Sequence, residues 1–171
     1  MVKVILLALD GSKSSERALP VGCELARALS AKLVLVCVAG PDAVVNQALT
    51  EQDRQEIAEQ YAGIREEDHL LSFDPRRVEH VQEQVRVRAE VERYLEKVKK
   101  EIEATGLDVE TAVPYGPAAE GILTEVEVRA ADLVVMATHG RTGLRFLREG
   151  SVAQAVLKRC TVPVMIIPPG E

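Results

Sequence analysis

Aromatic residues are scarce in this chain of 171 residues, at 3% of the total, and Trp is absent. We therefore expect a core of Val, Leu, Ile and Ala, the usual filling of a parallel sheet covered by helices. Hydrophobic residues still make up 47% of the sequence, which excludes disorder as the general state. The chain is long enough for one core and short for two, so we predict one domain over residues 1–171.

Several other features are missing or rare. No apolar run reaches the roughly 20 residues of a membrane span. The amino terminus does not resemble a secretory signal, because Asp10 interrupts its apolar stretch. The three cysteines, Cys23, Cys37 and Cys160, show no C-x-x-C spacing. These observations predict a cytoplasmic protein without a membrane partner, whose cysteines are reduced core residues.

The net charge of −6 argues against a nucleic-acid-binding scaffold. An acidic surface repels the phosphate backbone that supplies most of the affinity for nucleic acid. We therefore expect no nucleic-acid partner.

Strand and helix patterns alternate along the chain. Five apolar runs predict β-strands at residues 2–9, 33–38, 109–113, 133–137 and 162–167. Helical patterns follow three of them, at residues 14–30, about 118–129 and from 151 onward. This order predicts a three-layer α/β/α fold with a five-stranded parallel sheet and right-handed crossovers. In such sheets, ligands bind at the carboxyl ends of the strands where the strand order reverses.

Residues 41–105 form a polar insertion after the second strand. A long helix is predicted from about Pro75 to Thr105, a weaker helix upstream, and a break near residues 72–75. The segment is either a solvated helical hairpin or an arm that binds a protein partner or embraces a second copy of the chain. The apolar face of the long helix carries Val78, Val81, Val85, Val91, Leu95, Val98 and Ile102.

The stretch after the fourth predicted strand indicates a phosphate cradle. Gly140 and Gly143 permit unusual backbone angles in the loop, and a helix begins at Gly150-Ser151. The N–H groups at such a helix start, together with the helix dipole, favour an anion. Here a phosphate could sit against the N–H groups of Ser151, Val152 and Ala153, with positive charge nearby from Arg141, Arg145 and Arg148.

The spacing Ala137-x2-Gly140-x9-Gly150-Ser151 resembles the G-x2-G-x9-G-[S/T] motif of the ATP-binding branch of the universal stress protein family, with Ala137 in place of the first glycine. The resemblance extends to VILLALDGS, LVLVCV, Gly116-Pro117-Ala118 and VPVMIIP. It implies a Rossmann-like fold of the adenine-nucleotide α-hydrolase-like group with strand order 3-2-1-4-5. It also implies bound ATP with Mg²⁺ on the phosphates, and a homodimer formed through the C-terminal edge strand.

The resemblance further implies which residues form the nucleotide site. Asp10 would hold ribose hydroxyls or a metal-bound water, although it could also be only a helix N-cap. Ser151 would bind the nucleotide at the start of its helix, although it too could be only a helix N-cap. The complete set is Ala8, Leu9, Asp10, Val38, Met136, Ala137, His139, Gly140, Arg141, Gly143, Gly150, Ser151, Val152 and Ala153.

No catalytic set is readable in the sequence. His139 lies in the loop, but no serine, cysteine or carboxylate at readable spacing completes a nucleophilic group around it, so we favour a role in loop shape or at the phosphate edge. His69 and His80 are a weak metal signal, and we predict no metal site in the protein itself. The P-loop and G-x-G-x-x-G motifs are absent, so at most slow ATP hydrolysis is expected.

The sequence thus predicts an ATP-binding, stress-response or signalling dimer. Two alternatives remain open at this point: an ATP-using enzyme of the wider fold group, and a nucleotide-free interaction protein in which Ala137 and the polar insertion signal loss of the ligand.

Overall fold

The computed structural model describes residues 1–40, 49–61, 75–138 and 151–168. The strands of this part of the chain are β1 (Val4–Leu9), β2 (Lys32–Cys37), β3 (Val109–Ala112), β4 (Leu133–Ala137) and β5 (Val164–Ile167). Its helices are α1 (Lys13–Glu16), α2 (Ala18–Leu29), α3 (Glu51–Tyr61), α4 (Pro75–Glu103), α5 (Ala118–Val128) and α6 (Val152–Arg159).

The five strands form one parallel sheet in the order β3-β2-β1-β4-β5. The predicted fold class and strand order are therefore confirmed. Leu6 at the centre of β1 lies opposite Val34 of β2 and Val134 of β4. The strand order reverses between β1 and β4, which makes the carboxyl edge at this point the place where a ligand is expected.

Side chains of the strands alternate between two core layers. Ile5 and Leu7 pack with residues of α2 and α4 on one face of the sheet. Leu6 and Ala8 pack with residues of α5 and α6 on the other face. Both faces are thus covered, which explains the nearly continuous apolar sequence of β1 and β2.

The helix predicted over residues 14–30 is divided in the structure, because α1 ends at Glu16 and α2 begins at Ala18. Pro20 is the physical reason: it has no N–H to donate to the carbonyl of Glu16 four residues earlier. The chain still continues in a helical conformation through Arg17, with φ −64° and ψ −19°.

Several predicted boundaries were wrong by one or two residues. β1 begins at Val4 rather than residue 2, because the N–H groups of Lys3 and Val4 bond to the Asp132 carboxylate. β5 begins at Val164 rather than residue 162, after Pro163. The remaining shifts affect the ends of β2, β3, α4 and α5.

The insertion contains the predicted long helix. α4 begins at Pro75, as expected, and Val91, Leu95, Val98 and Ile102 of its apolar face are buried. The weaker upstream helix is α3, whose Ile57 is also buried. Of the predicted break at residues 72–75, residues 72–74 lie outside the described part of the chain. Among the helices that are described, none is both long and apolar enough to cross a membrane.

Candidate functional site

Asp10 lies directly after β1, at the carboxyl edge of the sheet. Its Oδ1 accepts a hydrogen bond of 2.9 Å from the N–H of Ser12, across Gly11, which has φ +81°. The N-cap of α1 is Ser12, whose Oγ accepts from the N–H of Ser15. The interpretation of Asp10 as the cap of this helix was therefore wrong, because the side chain two residues later occupies that role.

Ser15 holds the loop between Asp10 and α1 together. Its side chain is buried, its Oγ donates to the Ser12 carbonyl at 2.9 Å, and it accepts from the N–H of Asp10 at 3.2 Å. Short local bonds of this kind restrict the loop backbone. The carboxylate of Asp10 is consequently pre-positioned at the edge of the sheet.

Thr138 follows β4 at the same edge. Its N–H donates to the Ile167 carbonyl at 3.1 Å, which continues the ladder between β4 and β5 by one residue. The residue is 4% exposed, and its buried Oγ1 has no hydrogen-bond partner among the described residues. Burying a hydroxyl unpaired costs free energy, so such a group in a folded protein needs a specific explanation, and a functional role is one of them.

Asp10 and Thr138 follow the neighbouring strands β1 and β4 at the same edge of the sheet. The register pairs Ala8 with Met136, and both residues lie two positions beyond that pair. Thr138 was not among the site residues predicted from the sequence. A hydroxyl residue immediately after an apolar strand was the available signal, but a threonine at a strand end is also common without any function.

The start of α6 is as predicted. Ser151 is the N-cap, and its Oγ accepts from the N–H of Gln154 at 3.2 Å. Val152 is 39% exposed and Ala153 is buried. The side chain of Ser151 thus caps its own helix.

Val38, just after β2, turns its side chain towards α5. A Cβ placed on Gly121 would lie 2.8 Å from Val38 Cγ2, so helix and side chain are in close contact. Ala8, Leu9, Met136 and Ala137 are likewise buried. Any contact of Val38 with a base would therefore come from its backbone.

Two glycines bring the ends of β2 and β3 together. A Cβ on Gly40 would lie 2.6 Å from the Gly116 carbonyl oxygen. The bridge between Ala39 and Tyr115 and the bond from Gly116 N–H to the Ala39 carbonyl continue the pairing beyond both strands. A side chain at position 40 would force this junction apart.

Part of the predicted cradle falls outside the described residues, namely His139, Gly140, Arg141, Gly143 and Gly150, and with them Arg145 and Arg148. His69 also lies outside, and the side chain of His80 is not described. Within the described ranges, no group of three His, Cys, Asp or Glu side chains could hold a metal ion.

Cys37 ends β2 close to Asp10. Burial, and secondly the negative charge of Asp10, raise the pKa of its thiol to about 12, so it stays protonated. Cys23 is buried too, as predicted for a core residue. Cys160 was expected in a helix of the core; it instead follows α6 and is half-buried, because the helix ends at Arg159.

The profile of the universal stress protein family matches residues 1–168. This chain belongs to the universal stress protein family. Universal stress protein MJ0531 of Methanocaldococcus jannaschii is 38% identical to it over 81 residues, which are 47% of this chain. That alignment spans about half of the relative, at 48% of its length.

Solved structures of the family share the fold. A universal stress protein in complex with cAMP superposes with a TM-score of 0.61 at 19% identity, covering 99% of this chain and 98% of the other. A family member from Arabidopsis thaliana with AMP bound gives 0.59 at 16% identity, covering 98% and 92%. At these identities the likeness establishes the fold alone.

Proposed function

We propose that this universal stress protein binds ATP, with Mg²⁺ on the phosphates, at the carboxyl edge between β1 and β4. The observation that carries the proposal is the buried Thr138 hydroxyl, which has no hydrogen-bond partner among the described residues, at the same edge of the sheet as the pre-positioned carboxylate of Asp10. A nucleotide supplies both the hydroxyl groups that a carboxylate accepts from and the oxygens that a threonine donates to. The adenine nucleotides bound by two family members of the same fold support this choice.

Each part of the nucleotide has a candidate partner. Asp10 accepts hydrogen bonds from the ribose hydroxyls, and the N–H groups at the start of α6 hold a phosphate, aided by the helix dipole. The base lies near Ala8, Leu9 and the backbone of Val38. The end of β4, the segment that follows it and the start of α6 complete the proposed site. Their residues in it are Met136, Ala137, His139, Gly140, Arg141, Gly143, Gly150, Ser151, Val152 and Ala153.

Binding, rather than turnover, is the proposed activity. A P-loop lysine, which would stabilise charge on a transferring phosphoryl group, has no counterpart in the sequence. We therefore assign no catalytic residue and propose that occupancy of the site acts as a signal or stability switch in the cytoplasm. An ATP-using enzyme of the same fold would show substrate-dependent ATP turnover, and a nucleotide-free interaction protein would purify without nucleotide and ignore added ATP.

Calorimetric and thermal titration with Mg-ATP tests the proposal. Ligand at a hundredfold excess over its Kd adds about 2.7 kcal/mol, and roughly 2 to 4 °C per kcal/mol gives a Tm increase on the order of 5 to 10 °C. Native mass spectrometry first establishes whether the purified protein already holds nucleotide. Nucleotide-free protein whose Tm is unchanged in millimolar Mg-ATP would refute ATP binding; Mg²⁺ alone is the control.

We also propose a homodimer formed through β5. This strand is an edge of the sheet with the sequence VMII, and Met165 is 36% exposed. An apolar edge strand with unpaired backbone groups favours pairing with a second chain about a two-fold axis. Met165→Lys should yield monomers in sedimentation experiments, and a wild type that is monomeric at micromolar concentration would contradict the proposal.

A further inference from the structure

Tyr94 connects the insertion to the loop after β1. It lies on α4, is only 2% exposed, and its hydroxyl donates a hydrogen bond of 3.2 Å to Oε1 of Glu16 in α1. The two residues are 78 positions apart in the chain. A polar contact therefore joins the insertion to the short helix that follows Asp10.

Hydrogen bonds continue from Glu16 to Asp10. The N–H of Glu16 donates to the Ser12 carbonyl at 3.2 Å, and Ser15 Oγ donates to the same oxygen at 2.9 Å. The N–H of Ser12 in turn donates to Asp10 Oδ1 at 2.9 Å. An unbroken series of described contacts thus runs from Tyr94 on α4 to the carboxylate at the edge of the sheet.

The groups around Tyr94 keep its hydroxyl protonated, so that it can donate a hydrogen bond. Burial, and then the negative charge and hydrogen bond of Glu16, raise the pKa of Tyr94 well above its usual range, and Cys37 and Asp10 raise it further. The hydroxyl is consequently protonated throughout the physiological pH range. These influences also show that Tyr94 lies near the carboxyl ends of both β1 and β2.

The same part of α4 is tied to α3. Asp53 of α3, which is 8% exposed, pairs with Lys97, and Arg93 pairs with Glu56 at 2.8 Å. Hydrogen bonds from Lys97 and Thr50 hold the pKa of Asp53 well below its usual range. Arg93 and Lys97 lie within one helical turn of Tyr94, so this part of α4 contacts both α3 and α1.

We propose that Tyr94 is a positioning residue for the nucleotide site, acting through Glu16 and the α1 loop on the carboxylate of Asp10. The inference rests on the ATP binding proposed above and adds a residue outside the site that positions it. The insertion is thereby coupled to the site through the Tyr94 hydroxyl of α4.

Tyr94→Phe is the direct test, because it removes the hydroxyl and keeps the buried ring. Calorimetry compares Mg-ATP with Mg-2′,3′-dideoxy-ATP, which lacks both ribose hydroxyls that Asp10 would hold. We expect the variant to bind ATP about three- to tenfold more weakly, the range for one ordinary net hydrogen bond, and dideoxy-ATP within about twofold of the wild type. A purely structural role would weaken both ligands equally.

Glu16 provides a second pair of variants. Glu16→Gln keeps an oxygen that accepts from Tyr94 and should bind ATP within about threefold of the wild type, whereas Glu16→Ala should match Tyr94→Phe. Arg88→Ala is the control, since it removes an exposed ion pair with Glu92 elsewhere on α4.

The outcomes separate the two proposals. If the wild type binds no ATP, the proposed function fails and this inference with it. If the wild type binds ATP but Tyr94→Phe and Glu16→Ala bind it equally well, or lose both nucleotides alike, ATP binding stands and the positioning role is overturned.

Discussion

At the amino end of the sheet, acidic side chains bond to basic side chains or to backbone N–H groups of another segment, whereas at the carboxyl end a buried polar group has no partner among the described residues. Glu110 at the amino end accepts from Lys32 at 2.5 Å and from Arg129 at 2.6 Å. The carboxylate of Asp132 accepts from two backbone N–H groups. At the carboxyl end, Thr138 has a buried hydroxyl that no other described residue pairs with.

This difference separates stability from function. A polar group whose bonding capacity is used within the protein contributes to the fold but has little left for a ligand. An unpaired buried group lowers stability and becomes satisfied when a ligand arrives. We therefore expect substitutions at the amino end to affect the fold alone, and those at the carboxyl end to affect ATP binding.

The largest effect is expected from Gly40→Ala at the carboxyl end. The new Cβ would meet the Gly116 carbonyl oxygen at 2.6 Å, and a backbone atom in a buried junction cannot move aside easily. The free energy of unfolding should fall by about 1 to 3 kcal/mol, as for other overpacked sites. Affinity for ATP should fall as well, because the ends of β2 and β3 are displaced.

Gly106→Ala is the matched control at the amino end, in the turn between α4 and β3. Gly106 has φ +84° and nothing within 4 Å of the added Cβ, so its penalty is conformational and not steric. Denaturation should show a loss of roughly 1 to 2 kcal/mol, and calorimetry should show unchanged ATP affinity. Equal ATP affinity in Gly40→Ala and Gly106→Ala would contradict the assignment of the ATP site to the carboxyl end of the sheet.

Thr138→Val should weaken ATP binding without destabilising the fold, in contrast to Gly106→Ala. Replacing an unpaired hydroxyl by a methyl group of the same shape should leave the free energy of unfolding within about 1 kcal/mol or increase it. Binding of ATP should nevertheless weaken at least about three- to tenfold, the range for one ordinary net hydrogen bond. Thr111→Val, on β3, removes a hydroxyl away from the β1–β4 edge and should leave ATP affinity unchanged.

The smallest effect concerns pH at the amino end. The hydrogen bond from Lys32 lowers the pKa of Glu110, and the backbone N–H groups of Lys3 and Val4 lower that of Asp132. A carboxylate whose pKa is lower in the folded state stabilises the fold at pH values above its unfolded pKa of about 4. This contribution is lost as the pH falls through the folded pKa. The difference in Tm between wild type and Glu110→Gln should therefore shrink between pH 7 and pH 3. A constant difference would show that Glu110 adds nothing through its charge.

Much of the fold was predictable because its signals are local. The apolar run of β4 and the start of α6 at Ser151 follow from hydrophobic pattern and capping preference. The division at Arg17 was missed, although Pro20 was visible, because helical periodicity continues through it. The start of β1 depends on the distant Asp132, which no local pattern indicates.

The sequence by itself determined which segments form strands and helices, and the strand order came with the resemblance to the universal stress protein family. Only the tertiary structure decided that the Thr138 hydroxyl is buried with no partner in the described part of the chain, and that Tyr94 of the insertion donates to Glu16. Periodicity and capping act within a few residues of the chain. Partners in hydrogen bonds between distant segments are fixed by how the packed elements meet, and a single sequence does not contain that information in readable form.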